Sequence, residues 1–278
     1  MNIKILVCCH KKSIIKTEEP YLPIHVGKEL SNVNLGILGD NTGINISNKN
    51  DTYCELTGIY WAWRNLKDVD IIGLCHYRRY FDFYNQCQAI LPYTSFNETD
   101  FNNVELTIPI DYLNKTINQG TIIVTRPINY KMTLHQDYCL HHISEDFKVL
   151  DQVIKETGES KYIKAFYDVM YKSNNFFSCN MFIMSWSDFD SYCSWLFNIL
   201  DKVESRINIT NYNSYQRRIY GFIAERLFNV YIKANNIHTI KKPVIYFTNE
   251  KIKRSNLYLF YYTLKKIRNN LFVKLLNK

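Results

Sequence analysis

The run Ile71-Ile72-Gly73-Leu74-Cys75 is an apolar segment with no polar face, and it ends abruptly on His76-Tyr77-Arg78-Arg79. A strand that is apolar on both sides must be covered on both sides, which is the situation of a strand inside an α/β sheet. Ligands of such sheets bind outside the carboxyl ends of the strands. Two adjacent guanidinium groups at that position suit a divalent anion, and a diphosphate is the commonest candidate. Ile3–Cys9 has the same character and ends on His10-Lys11, so a second strand end offers polar groups.

Gly120–Thr125 and Phe176–Trp186 read as further apolar strands, the latter with Asn180 in its middle. Asp51 is a candidate N-cap for a helix from Thr52 to about Leu66, with Leu56, Ile59, Tyr60 and Trp63 on its buried stripe and Cys54, Glu55 and Gly58 off it. Leu134–Val153, Ser160–Tyr171, Asp188–Val203 and Tyr215–Asn235 have helical character. Residues 13–50 read as a long Asn/Gly-rich excursion, and residues 82–118 as an irregular insertion over the site. Strands alternating with helices predict an α/β fold with a mainly parallel central sheet flanked by helices. The expected organisation is one domain over residues 1–250 and a basic helical tail over 251–278.

Charge supports that division. The net charge of +8 lies entirely in residues 251–278, which carry eight Lys/Arg and no Asp or Glu, while the body is neutral. A neutral body lacks the basic stripes of a nucleic-acid-binding fold, so no nucleic-acid partner is expected. The eight cysteines show no C-x-x-C or zinc spacing, several fall in apolar strands, and the start is too short for a signal sequence. No run approaches a membrane span. A cytoplasmic protein with reduced thiols is expected.

Several polar groups are candidates for chemistry. Because a strand alternates faces, Arg78 and Arg79 serve one ligand only if the strand ends at His76 and the chain turns. The alternative is that one pairs with a carboxylate at the edge of the core and the other is solvated. Asp40-Asn41-Thr42-Gly43 suits sugar hydroxyls, or is an ordinary Asx turn. His135, Asp137, His141 and His142 form a second cluster, from which His135 or Asp137 is a candidate general base. Glu225 lies with Arg218 and Gly221 on the polar side of its helix, a solvated face or a carboxylate that deprotonates a sugar hydroxyl. Asp68-Val69-Asp70 precedes its strand and Asp188-Phe189-Asp190 begins a helix, so neither is favoured as a metal site. Fixed positive charge from Arg78 and Arg79 is expected to replace a metal on the diphosphate.

The strings Val7-Cys8-Cys9-His10-Lys11, Asp40…Thr42-Gly43, Tyr53-Cys54-Glu55-Leu56-Thr57…Tyr60-Trp61-Ala62-Trp63, Gly73–Phe81, Asn180–Met184 and Gly221-Phe222…Glu225-Arg226-Leu227 together resemble the DUF4422 family of bacterial capsule, exopolysaccharide and O-antigen glycosyltransferases. The resemblance runs from residue 3 to about 235. It implies a GT-A-like, Rossmann-related fold and an inverting transfer, with characterised relatives similar to galactofuranosyltransferases that use UDP-galactofuranose. The family usually carries aspartates where this chain has Asn41 and Ile44.

The resulting expectation is a glycosyltransferase that moves a hexose from a UDP-sugar to a growing surface glycan on a lipid-linked oligosaccharide acceptor, with no required cofactor. Pyranosyl transfer by the same site and a catalytically silent scaffold are the alternatives. Expected donor-binding residues are His10, Lys11, Asp40, Asn41, Thr42, Tyr53, Glu55, Thr57, His76, Tyr77, Arg78 and Arg79. Asn180 and Arg226 are expected at the acceptor, and Glu225, Asp137 and His135 are the candidate bases. In the tail, Leu257, Phe260, Tyr261, Leu264, Ile267 and Leu271 recur at helical spacing beside Lys265, Lys266 and Arg268. Such a segment suits the inner face of the cytoplasmic membrane or, alternatively, packs on the domain.

Overall fold

A computed structural model describes residues 1–87, 90–157, 159–250 and 256–277, without the side chains of 256–260. The expected tail boundary at 250/251 and the side chains of Leu257 and Phe260 lie outside the described residues. In chain order the elements are β1 (Ile3–Cys9), β2 (Tyr21–His25), β3 (Leu38–Gly39), α1 (Asn50–Tyr53), α2 (Leu56–Asn65), β4 (Ile71–His76), β5 (Arg79–Phe81), β6 (Tyr93–Asn97) and α3 (Ile110–Thr116). There follow β7 (Thr121–Thr125), β8 (Ile128–Asn129), α4 (Leu134–His141), α5 (Ser144–Glu156), α6 (Ser160–Lys172), β9 (Asn175–Phe176), β10 (Phe182–Ser185), α7 (Trp186–Glu204), α8 (Ile219–Ala234), β11 (His238–Lys242), β12 (Val244–Thr248) and α9 (Asn256–Leu276).

The main sheet runs β11-β7-β10-β4-β1-β2-β3. All neighbours are parallel except β10, which is antiparallel to both β4 and β7. The mainly parallel, helix-flanked sheet expected from the alternation is therefore present. The chain passes from β1 to β2 on one side, then returns through α1 and α2 to β4 on the other. That reversal opens a crevice at the carboxyl ends of β1 and β4.

Both faces of β1 are buried, as its continuous apolar run predicts. Leu6 and Cys8 face the helical layer with Ile59, Leu196 and Ile223, whereas Ile5 and Val7 face a second core with Phe101, Leu113 and Ile245. The second core is built largely from residues 82–118, expected to be irregular, which form β6 and α3, together with β5 and β12.

Three expected elements are interrupted. The helix predicted over 52–66 breaks at Cys54, whose φ is +52°. The Asn50 side chain explains the break: its Nδ2 donates to the Cys54 carbonyl at 2.7 Å and to Thr57 Oγ1 at 3.0 Å. Such local side-chain bonds compete with the helix ladder. The helix predicted over 134–153 ends at His141 and restarts at Ser144. The apolar run 176–186 is two strands, separated by a turn in which Cys179 and Asn180 have φ of +71° and +50°. Within the excursion 13–50, β2 pairs β1 through Pro23 opposite Val7.

Candidate functional site

The crevice is a cleft of about 590 Å³ lined by residues from six parts of the chain. His10 follows β1, Val26 follows β2, Glu55 and Cys54 come from the α1/α2 break, and His76, Tyr77 and Arg79 span the turn from β4 into β5. Cys179 lies in the turn before β10, Arg217 and Arg218 immediately precede α8, and Glu225 lies within it. Three of the non-glycine residues in left-handed backbone, Cys54, Cys179 and Asn180, are concentrated at this floor. Backbone held in sparsely populated regions is characteristic of functional sites and persists only where its surroundings enforce it.

The turn after β4 decides the fate of the two arginines. Tyr77 and Arg78 form a two-residue hairpin loop, so His76 pairs directly with Arg79 across β4 and β5. Directly opposed residues share a face, and both line the cleft. Arg79 is further braced by the Tyr246 ring, 5.0 Å from its guanidinium carbon. Arg78 turns the other way, forming a salt bridge with Glu98. The expectation that both arginines serve one ligand is thus corrected: the turn separates them, and Arg78 takes the carboxylate partner.

The opposite wall supplies positive charge that the sequence reading did not assign. Arg217 and Arg218 precede α8, whose N-terminus adds the positive end of the helix dipole. Arg218 Nε donates to Cys54 Sγ at 3.3 Å. The close approach is permitted by Gly221, where a Cβ would stand 3.2 Å from the same sulfur. The signal was present as a pair of arginines on the same helical side as Glu225, two turns ahead of it.

A linked pair of carboxylates sits on the floor. The Cys179 amide donates to Glu225 Oε1 at 2.6 Å, and Asn180 Nδ2 donates to Glu55 Oε1 at 2.7 Å. Burial and then the charge of Glu55 push the Glu225 carboxyl up to about 7, against the pull of Arg226, the Cys179 amide and Arg79. His76 Nε2 donates to the Cys179 carbonyl at 2.7 Å, which fixes its tautomer and leaves Nδ1 as an acceptor. Its pKa is lowered by burial and by Arg79. The His10 pKa is likewise lowered by burial, then by Lys11 and Arg218.

Of the expected donor residues, His10, Glu55, His76, Tyr77 and Arg79 line the cleft. Lys11 Nζ lies 5.7 Å from the Tyr77 ring centre, near the cleft but outside its lining. The remainder are structural supports. Asp40 is buried and accepts from the Gly27 and Lys28 amides at 2.8 and 3.0 Å and from Ser47. Asn41 donates to Glu29, and Thr42 accepts the Trp61 indole N–H at 2.9 Å. Tyr53 donates to Glu204 at 2.9 Å, and Thr57 Oγ1 donates to the Cys54 carbonyl at 3.1 Å. The loop 40–43 is therefore the Asx-type clip, not a lining of the cleft.

Asn180 is buried beneath Glu55 and positions it. Arg226 and Asp137 form a buried ion pair at 3.2 Å, with the guanidinium also 4.8 Å from the Tyr138 ring centre. Burial raises the Asp137 pKa against the pull of Arg226. His135 stacks on Tyr171 at 4.5 Å and lines a separate groove between α4 and α9. None of these three reaches the cleft, so of the candidate bases only Glu225 is there. The reason is helical phase: α4 directs Asp137 into the helical core and His135 towards α6.

The two D-x-D segments are also structural. Asp70 accepts the Asn2 amide at 2.6 Å; in the first turn of α7 the Asp188 amide donates to the N-cap Ser185 hydroxyl, and its carboxylate accepts the Gly120 amide at 2.9 Å. Among the described residues no three His, Cys, Asp or Glu side chains converge as metal ligands would. All eight cysteines are free thiols.

No curated protein matches the chain significantly. Among solved structures, the apo structure of WbbM, a bifunctional glycosyltransferase, is similar with a TM-score of 0.79 and 29% identity, covering 91% of this chain and 46% of that one. The chain thus spans about half the length of that protein. The sheet order and this likeness make the fold GT-A-like. The family described as a domain of unknown function, DUF4422, matches residues 4–236, a span that contains every cleft residue described above. The chain belongs to the DUF4422 family.

Proposed function

We propose that this chain is a glycosyltransferase of polysaccharide synthesis that moves a hexosyl group from a UDP-sugar to a hydroxyl of a growing, lipid-linked surface glycan. The observation that carries the reading is the opposition, within one cleft, of an arginine wall to a carboxylate whose pKa lies near 7. The similarity to WbbM, a bifunctional glycosyltransferase, supports the reaction class. The family resemblance supports galactofuranose as the sugar.

In this reading Arg79, Arg217 and Arg218 hold the donor diphosphate, and their fixed charge stabilises the departing UDP. Glu225 takes the proton of the acceptor hydroxyl. The acceptor oxygen bonds to the anomeric carbon from the face opposite the leaving group. The bond from that carbon to phosphate oxygen breaks, its electron pair leaves with UDP, and the configuration inverts. A carboxylate tuned to near neutrality matches that task, because enough of it is ionised to accept a proton that it then holds. Glu55 keeps the pKa of Glu225 high, and His76 and Asn180 hold the floor in register. Charge compensation is assigned to arginine, so no step passes through a metal.

The test is a screen of UDP-sugars for binding, hydrolysis and transfer, with EDTA present. Thermal stabilisation by UDP and release of UDP from one hexose donor are expected. An absence of any response to UDP would mark the chain as a scaffold, and activity restored only by a divalent cation would overturn the role given to the arginines.

A further inference from the structure

The helix α9 is seated by one face only. Asn269 is 0% exposed, and its Nδ2 donates to the Asn129 carbonyl at 3.0 Å while its own carbonyl accepts from Asn174 Nδ2 at 3.2 Å. Val273 is buried one turn on, and Asn129 Nδ2 donates to Asn270 Oδ1 at 2.6 Å. Near the end, Asn277 Nδ2 donates to the Lys172 carbonyl at 2.7 Å. This seat is mostly amide hydrogen bonding.

The apolar stripe points the other way. Tyr261, Leu264, Ile267, Leu271 and Leu275 recur at three- and four-residue spacing, and each is between 49% and 68% exposed. A helix packed on a domain turns such a stripe inward. Here the amides face in and the aliphatic side chains face out. The apolar surface continues onto α4, where exposed Leu140 lines a groove together with Phe272 of α9. A contiguous exposed apolar surface of this kind marks an interaction site.

Charge identifies the occupant. Lys265, Arg268 and Lys274 border or interrupt the stripe by helical angle, and no acidic residue occurs in 251–278. A second copy of the same face would bring like charges together, which disfavours self-association. No helix among the described residues is long and apolar enough to cross a bilayer. We propose that the outward face of α9, extended by Leu140, lies in the interface of an anionic membrane, apolar side chains among the acyl chains and basic ones at the headgroups. This is the geometry of an interfacial amphipathic helix, whose binding combines apolar burial with attraction to anionic lipid. The proposal stands apart from the reaction assigned to the cleft, since it rests on neither the arginines nor Glu225.

The experiment is co-sedimentation of the full chain with phosphatidylcholine vesicles, with and without phosphatidylglycerol. Each basic side chain at an anionic surface is worth about fivefold in partitioning. Binding should therefore rise at least about tenfold with phosphatidylglycerol and fall in high salt. Ile267→Glu with Leu271→Glu should abolish it while leaving the far-UV spectrum and the melting temperature unchanged, because both positions are exposed. Lys265→Gln with Arg268→Gln should weaken it about twentyfold or more. Binding indifferent to lipid charge, binding unaffected by the glutamate pair, or no binding at all would overturn the proposal. So would a dimer that the glutamate pair dissociates without any vesicle binding.

Discussion

The backbone amide of Cys179 donates to the Glu225 carboxylate at 2.6 Å, from a turn whose next residue, Asn180, donates to Glu55. One strained turn therefore fixes both carboxylates of the cleft. If Glu225 is the base, Glu225→Gln keeps the amide contact and loses the proton acceptor. Turnover should fall about 10²–10⁴-fold, with UDP affinity within about threefold of the parent. Near-normal turnover in a transfer assay would place the base elsewhere.

Glu55 sets the pH at which that base works. Its negative charge raises the Glu225 pKa, so Glu55→Gln should lower it. A base acts when deprotonated, so activity rises with pH through its pKa. The acidic limb of the kcat profile, near pH 7 in the parent, should move to lower pH in Glu55→Gln. A limb that stays in place would show that another group titrates.

The same raised pKa has a stability consequence. Glu225 holds its proton up to about 7 in the folded chain, but an unfolded glutamate releases it near pH 4.3. Its contribution is complete below the unfolded value and is lost as pH rises through the folded one. Glu225→Gln should therefore stabilise the protein at pH 8, by on the order of 2 kcal/mol, and hardly at all at pH 4. Melting curves at the two pH values compare them directly.

Adjacent arginines should behave oppositely. Arg79→Ala and Arg218→Ala each remove a charge from the cleft and should cost about 1.5–3 kcal/mol in UDP binding. Arg78→Ala should leave UDP affinity unchanged and cost at most about 1 kcal/mol of stability, because its bridge to Glu98 is partly exposed. Calorimetric titration of the three variants in EDTA separates the roles.

Asp137→Asn should act on folding and not on chemistry. It leaves Arg226 buried without its counter-charge, a loss of about 3–5 kcal/mol. Denaturant unfolding should register that loss, while the specific activity of the folded fraction stays at the parent value.

The sequence made the sheet legible because burial on both faces leaves an unbroken apolar run in β1, β4 and β7. The strands towards the margins were less visible. β2, between β1 and the edge strand β3, contains Pro23, and the edge strand β11 carries Lys241 and Lys242, so neither has the apolar signature. In the site, strand ends identified His10, His76 and Arg79, and helical phase identified Glu225. The break at Cys54 was hidden because it depends on the Asn50 amide rather than on a glycine or proline. Asp40, Tyr53 and Thr57 carry a recognisable motif because they shape the loops around the cleft. A motif read from one chain does not separate the residues that touch a ligand from those that hold them.

The strained turn also bears on how the protein reaches its working state. Cys179 and Asn180 join carboxylates that are 46 and 125 residues distant along the chain. Contacts of such separation form only after long loops have closed, and chains rich in them fold slowly. The helices, by contrast, are local. On refolding from denaturant, helical circular dichroism should therefore return ahead of UDP binding, with competence for the ligand arriving in the last kinetic phase.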